Sequence, residues 1–237
     1  MIRVNCRSSF QKSDLDFLLS ALSHPPGDAP GVLQEGCPID DLLDRDEVFR
    51  ALLEQNRCLT VSPQFYFYVL VRHVFVEAGL SDRDLADYVA SLLAEFSKVR
   101  RLTQVQETDD RRFDYVFEML EALQSATGPR VFFIRAHVGN TSLFLTGIFP
   151  EHVLHQAQRR GAPGLRYFEN LGVSNYLTAS EHQLARELQL ENVLGCLGDR
   201  FGQVRHALNQ LSDRLVSIER DPTVIQSMLA KWGEAGG

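Results

Sequence analysis

The chain has 237 residues, 44% hydrophobic and 23% charged, which is enough for one domain with its own core and no disulfide or metal staple. Its 24 Lys and Arg stand against 31 Asp and Glu, a formal net charge of −7. That argues against a nucleic-acid binder, which needs dense positive charge to displace counterions, and suits a soluble protein of the cytoplasm.

Cys6, Cys37, Cys58 and Cys196 never fall within three residues of one another. No C-x-x-C zinc or redox pair is therefore present, and the four read as reduced thiols. The N-terminal MIRVNCRSSFQKSDLDF has no apolar h-region of a signal peptide. Two stretches are apolar enough to test as membrane spans. Residues 65–76 are too few, and 131–149 contain Arg135, His137 and Asn140. A span needs about 20 apolar residues with few charges, so both read as buried core.

In chain order, the first expected helix is 13–23, with Ser13 as N-cap and Asp14 and Asp16 in the first turn, where negative charge suits the dipole. The Pro- and Gly-rich stretch 24–38 reads as a loop that could set off a short N-terminal arm. A helix follows at 39–55. Ser62-Pro63 is a strong start signal, Ser as N-cap and Pro as N1, and Gly79 is a good stop. The run between them is apolar on nearly every face, which predicts a central helix over 63–78.

Ser81-Asp82-Arg83-Asp84 has the form of a capping box. The helix it opens places Leu85, Tyr88, Val89, Leu92, Leu93 and Phe96 on one face. Another amphipathic helix is expected at 112–126. Gly128-Pro129 opens the most apolar segment, read as a buried helix over 130–147, with a strand at 131–138 as its rival. Pro150 begins a short helix to 161, and 165–171 and 174–190 are expected to be helices broken at Gly172.

The last long segment carries Leu194, Leu197, Phe201, Val204, Leu208, Leu211, Leu215 and Ile218 at spacings of three and four. This predicts one long heptad helix. Gly195, Gly198 and Gly202 lie beside the seam, so a second helix backbone should come close there. The flanking charged positions are Arg200, Arg205 and Arg214, all positive, which disfavours a parallel homodimer and favours a seam inside the chain. A short helix at 223–232 and a disordered tail at 233–237 end the chain.

These elements predict an all-α fold: an irregular multi-helix bundle of about eight to ten helices in one domain, 1–237. The segments GNTSLFLTGIFPEHV (139–153), YFENLGVSNY (167–176) and YVASLLAEF (88–96) resemble an uncharacterised family of helical bacterial proteins. The resemblance implies a helical fold and a bacterial source, and carries over no activity and no site residue.

Five polar residues interrupt the two most apolar segments: Arg72 and His73 in the first, Arg135, His137 and Asn140 in the second. A buried Arg is costly unless a carboxylate pairs with it, and Asp87, Glu95 and Glu118 are available partners. The functional alternative is an anion, small-ligand or cofactor pocket between helices, lined by these five, in a binding protein or an enzyme.

His152 and His155, three apart, could bind a metal, but read as a solvated face. No His has a Glu three residues before it, which argues against a di-iron bundle. No phosphate loop and no G-x-S-x-G elbow occurs. No metal and no cofactor is therefore expected. The leading expectation is a non-enzymatic helical module that binds or regulates a protein partner through an exposed apolar groove. The intrabundle ligand site is the alternative.

Overall fold

The computed structural model describes residues 2–23, 38–54, 61–98, 103–106, 113 and 116–218. The expectations for the loop at 24–37, the helix at 223–232 and the tail at 233–237 lie outside the described residues. Within them the chain is all-α, with twelve α-helices, one short 3-10 turn and no strand. No helix among the described residues is long and apolar enough to cross a membrane. The chain divides into two compact units, Val4–Ala94 and a second made of Met1–Arg3 with Glu95–Gly237.

The first unit contains the 3-10 turn Arg7–Ser9, α1 (Lys12–Ser23), α2 (Ile39–Leu43), α3 (Asp46–Glu54), α4 (Pro63–Glu77) and most of α5 (Arg83–Phe96). Ser62 caps α4 as expected: its hydroxyl accepts the Phe65 N–H at 3.2 Å, and Pro63 occupies the first turn. Gly79 takes a left-handed φ of 74°, and Leu80 N–H reaches back to the Phe75 carbonyl at 2.7 Å, closing the helix. The α4 residues Phe65, Tyr68, Val69, Leu70, Val71, Val74 and Phe75 are all buried. Phe10 and Phe17 meet the Phe65 ring edge-on, at 5.2 and 5.9 Å.

Two helix starts differ from the sequence reading. Helix α1 begins at Lys12, one residue before the expected cap Ser13. The buried Asp14 does the capping: it accepts the Gln11 N–H at 2.7 Å and also holds the Ser62 N–H and hydroxyl. At α5, Asp82 replaces Ser81 as the capping side chain, accepting from Asp84 N and Leu85 N at 2.9 and 3.1 Å. An Asp carboxylate at the N-terminus gains charge–dipole stabilisation that a hydroxyl lacks, which explains both.

In the second unit the central element is α7 (Pro129–Ile148), buried at every position from Ala136 to Ile148. Around it lie α6 (Val116–Ser125), α8 (Pro150–Arg160), α9 (Leu165–Ser180), α10 (Gln183–Glu187), α11 (Glu191–Asp199) and α12 (Phe201–Ile218). The rival strand at 131–138 is thus a helix.

The expected long heptad helix is two helices, α11 and α12, parted at Arg200. They serve different partners: α11 packs on α9, and α12 packs on α7. Gly198 and Gly202 flank the break, and glycine is the weakest helix former after proline. The seam residues from Leu194 to Leu215 are nonetheless buried within the chain. The glycine stripe does meet a helix. An ideal Cβ on Gly198 would lie 2.6 Å from Leu177 of α9 and 3.3 Å from its backbone nitrogen.

Gly172 does not break its helix either; α9 runs through it from Leu165 to Ser180. Its lack of a side chain is used for packing, because a Cβ there would lie 2.6 Å from Cζ of Phe201. The carbonyls at the C-terminal end of α7, which have no partner within the helix, receive side chains of α12. Asn209 Nδ2 donates to Thr146 O and Gly147 O at 2.8 and 2.7 Å, and Ser212 Oγ to Ile148 O at 2.9 Å.

Candidate functional site

Within the first unit, α3 and α4 each present one face to a surface cleft of about 350 Å³. From α3 come Asp46, Phe49 and Arg50, at i, i+3 and i+4; from α4 come Arg72, His73, Val76 and Glu77, at i, i+1, i+4 and i+5. Helical geometry places such sets on one side of each helix. Asp44, just beyond α2, completes the lining.

The inner wall is a closed ion pair. Arg72, 5% exposed, donates from Nε and Nη2 to the two Asp44 oxygens at 2.8 and 3.0 Å, and from Nη1 to the Ser81 carbonyl at 2.8 Å. Arg83 adds a third donor to Asp44 at 3.1 Å. Burial alone would raise the Asp44 carboxyl, but the hydrogen bonds from Arg72 and Arg83 outweigh it and hold the group below its ordinary value. The fork is the bidentate geometry for which guanidinium is suited. It also answers the sequence question about Arg72: its partner is Asp44, not Asp87, Glu95 or Glu118.

Asp87 is engaged elsewhere in the same unit. It accepts the Cys6 and Arg7 N–H groups at 2.7 and 3.0 Å, together with Arg7 Nε at 3.1 Å. Cys6 beside it is a buried thiol donating to the Gln64 carbonyl; burial, then the Asp87 charge, push it up to about 12.

The outer part of the cleft is built around His73. Its imidazole stacks on Phe49 with centroids 3.7 Å apart and planes 9° from parallel. Nδ1 lies 3.6 Å from Asp46 and Nε2 3.2 Å from Glu77, so one ring is flanked by two carboxylates from different helices. Both acids reach solvent, with side chains 63% and 41% exposed. Val76 is 49% exposed beside them. Arg50, itself exposed, comes only within 4.0 Å of Asp46.

The other three candidate residues lie in the second unit, on α7. His137 and Asn140 are buried and line a cavity of about 10 Å³ together with Phe96, Gln104 and Phe133; such a volume holds about one water. The His137 ring meets Phe96 edge-on at 5.5 Å, and Asn140 Oδ1 accepts the Tyr176 hydroxyl at 2.8 Å. Tyr176 lies flat against Gly139, where a Cβ would come within 2.7 Å of the ring.

Arg135, half-buried, lines neither space. Its Nη1 donates to Asn175 Oδ1 at 3.2 Å, and its buried Nε has no partner among the described residues. The Thr141 and Ser142 hydroxyls, also buried, have none among them either. This stretch of α7 against α9 is a polar seam knitted by side chains.

No family model, curated protein or solved structure matches this chain.

Of the five residues singled out in the sequence, the structure therefore brings Arg72 and His73 together in one unit and Arg135, His137 and Asn140 along one helix in the other. Asp44, Asp46, Phe49 and Glu77 were not singled out. The His73–Glu77 spacing of four was a readable signal, because such pairs share a helix face. The α3 residues carried none, since their approach to α4 is tertiary.

His152 and His155 both lie on α8; burial, then the neighbouring His155, hold His152 below its ordinary value. Among the described residues no group of three or more His, Cys, Asp or Glu is placed to hold a metal ion.

Proposed function

We propose that this chain is a non-enzymatic helical module that binds a protein partner, and that the cleft between α3 and α4 is its recognition site. The observation that carries this reading is the cleft itself. It is open at the surface and lined by an exposed Val76 beside exposed carboxylates.

Its inner wall is held by the Arg72–Asp44 fork and its outer part by the Phe49–His73 stack. Such a preformed cleft loses little conformational freedom when a ligand enters. Among the described residues that line it, none is a hydroxyl, a thiol or a lysine. The arrangement supports binding.

A random peptide library displayed on phage tests the reading. Peptides enriched on the native protein are expected to lose binding to Val76→Trp, which fills the cleft from an exposed position. Enriched peptides that bind the filled variant equally well would overturn the proposal.

A further inference from the structure

We infer that α2 is an ionic strap beside the inner wall of the cleft: its carboxylates are clasped by arginines from the rest of the unit, and weakening that clasp lifts the strap and loosens the cleft. The strap stands on its own geometry, while its effect on recognition rests on the cleft being the recognition site.

Helix α2 has little else to hold it. It has only five residues, Ile39–Leu43, and a helix shorter than about 12 residues is marginal without packing. Leu43 alone among them is buried, and Ile39 is 44% exposed. Two residues further on, α3 buries Val48, Phe49 and Leu52. Apolar burial therefore fixes α3 far better than α2.

The charges are divided between strap and frame. The acids belong to the strap: Asp40 and Asp41 within α2 and Asp44 at its C-terminal cap. The bases belong to the frame. Arg7 reaches Asp40 at 3.2 Å and is itself held by Asp84 and Asp87 of α5, at 2.7 and 3.1 Å. Arg72 forks onto Asp44 while its Nη1 is anchored on the Ser81 carbonyl. Among the described residues Arg83 directs all its ion pairs to the strap: Asp40 at 3.5 Å, Asp41 at 2.8 Å and Asp44 at 3.1 Å.

The two ends of the strap differ in their exposure to salt. The side chains of Arg83 and Asp41 are 33% and 54% exposed, whereas that of Arg72 is 7% exposed. Ions screen exposed pairs and reach buried ones much less. Salt thus releases the Asp40–Asp41 end first, with Asp44 as the pivot. Only Asp44 and Arg45 separate α2 from α3. Asp46 and Phe49 lie within the first four residues of α3 and line the cleft, so movement of the strap is passed to that lining through a short joint. A loosened wall must be ordered again when a ligand enters, which weakens binding.

Backbone amide order parameters of α2 and α4, measured by NMR on the full chain, test the strap. In about 0.1 M NaCl both helices are expected in the rigid range, about 0.85. In about 1 M NaCl, where the Debye length has fallen from about 10 Å to about 3 Å, α2 is expected to fall to about 0.6 or below while α4 keeps its value. Arg83→Gln should produce the same loss in α2 at the lower salt. Order in α2 that is unchanged at high salt, or that falls together with α4, would overturn the strap and leave the cleft; this arm needs no variant to fold. Arg83 does not line the cleft. A phage-selected peptide that Val76→Trp excludes should therefore bind Arg83→Gln about two- to five-fold more weakly, the range of an exposed charge pair. Unchanged affinity with α2 released would overturn the link between strap and cleft. Peptides indifferent to Val76→Trp would overturn the cleft as the site and that link with it, while the order parameters still decide the strap.

Discussion

Gly172→Ala sets two physical effects of similar size against each other, and the structure decides the sign. Gly172 lies inside α9, where replacing Gly by Ala gains about 1 kcal/mol of helix propensity. The new Cβ would stand 2.6 Å from Phe201 Cζ and 3.1 Å from Ser142 Cβ. Carbon atoms prefer about 3.5–4.0 Å, so the ring must retreat by roughly 1 Å. Phe201 is 1% exposed, and no open side receives it.

Overpacking of this kind costs about 1–3 kcal/mol, and a ring that cannot swing away belongs in the upper half of that range. The net expectation is a loss of about 1–2 kcal/mol. Gly195→Ala is the matched control. It is also a helical glycine, in α11, but its Cβ would meet only Ser180, at 3.8 and 3.9 Å, which is ordinary contact. That variant should gain up to about 1 kcal/mol. Urea unfolding of the two variants beside the native chain measures both. A Gly172→Ala protein at least as stable as native, or two variants that shift in the same direction, would refute the packing argument.

Removing one member of the cleft's inner pair should be costly: Arg72→Met leaves Asp44 with Arg83 alone and takes the donor from the Ser81 carbonyl, and should lower stability by about 2 kcal/mol, and an unfolding midpoint within error of native would contradict it. Acid should act through the same pair. Asp44 is held below its unfolded value of about 3.9, so its contribution is present above that value and is lost as pH falls through the lower folded value. The urea midpoint should therefore decline between about pH 5 and 3, and less steeply in Asp44→Asn; equal slopes would contradict the assignment. Cys6, with its thiol pushed up to about 12 and its side chain buried, should resist iodoacetamide at neutral pH in the folded chain. Peptide mapping that finds Cys6 alkylated before unfolding would count against it.

Local signals in the sequence translated into structure wherever the physics is local. Ser62-Pro63 and Gly79 bound α4 as their backbone preferences require. The apolar run before Gly147 became a buried helix because its length and flanking glycine-proline favour helix over strand. Where the outcome depended on partners distant in the chain, the reading diverged. The heptad spacing across 194–218 continues through Arg200, but the helix does not, because α11 and α12 dock on different helices. Gly172 carries the signature of a break and instead makes room for Phe201.

The candidate site shows the same division. The sequence identified Arg72 and His73 as polar interruptions that needed partners. It could not name Asp44, 28 residues earlier, or Asp46 and Phe49, which reach them only because α3 packs on α4. His137 and Asn140 share that origin, and the sequence could not name Phe96, which meets the His137 ring, or Tyr176, whose hydroxyl Asn140 accepts.

We propose that recognition occurs at the α3–α4 cleft and not along the polar seam of α7 and α9. Backbone and methyl chemical-shift mapping of a phage-selected peptide on the full chain distinguishes the two. The largest changes are expected at Phe49, Arg50, His73 and Val76. Changes concentrated instead at Arg135, Asn140 and Asn175, with the cleft signals unmoved, would contradict it.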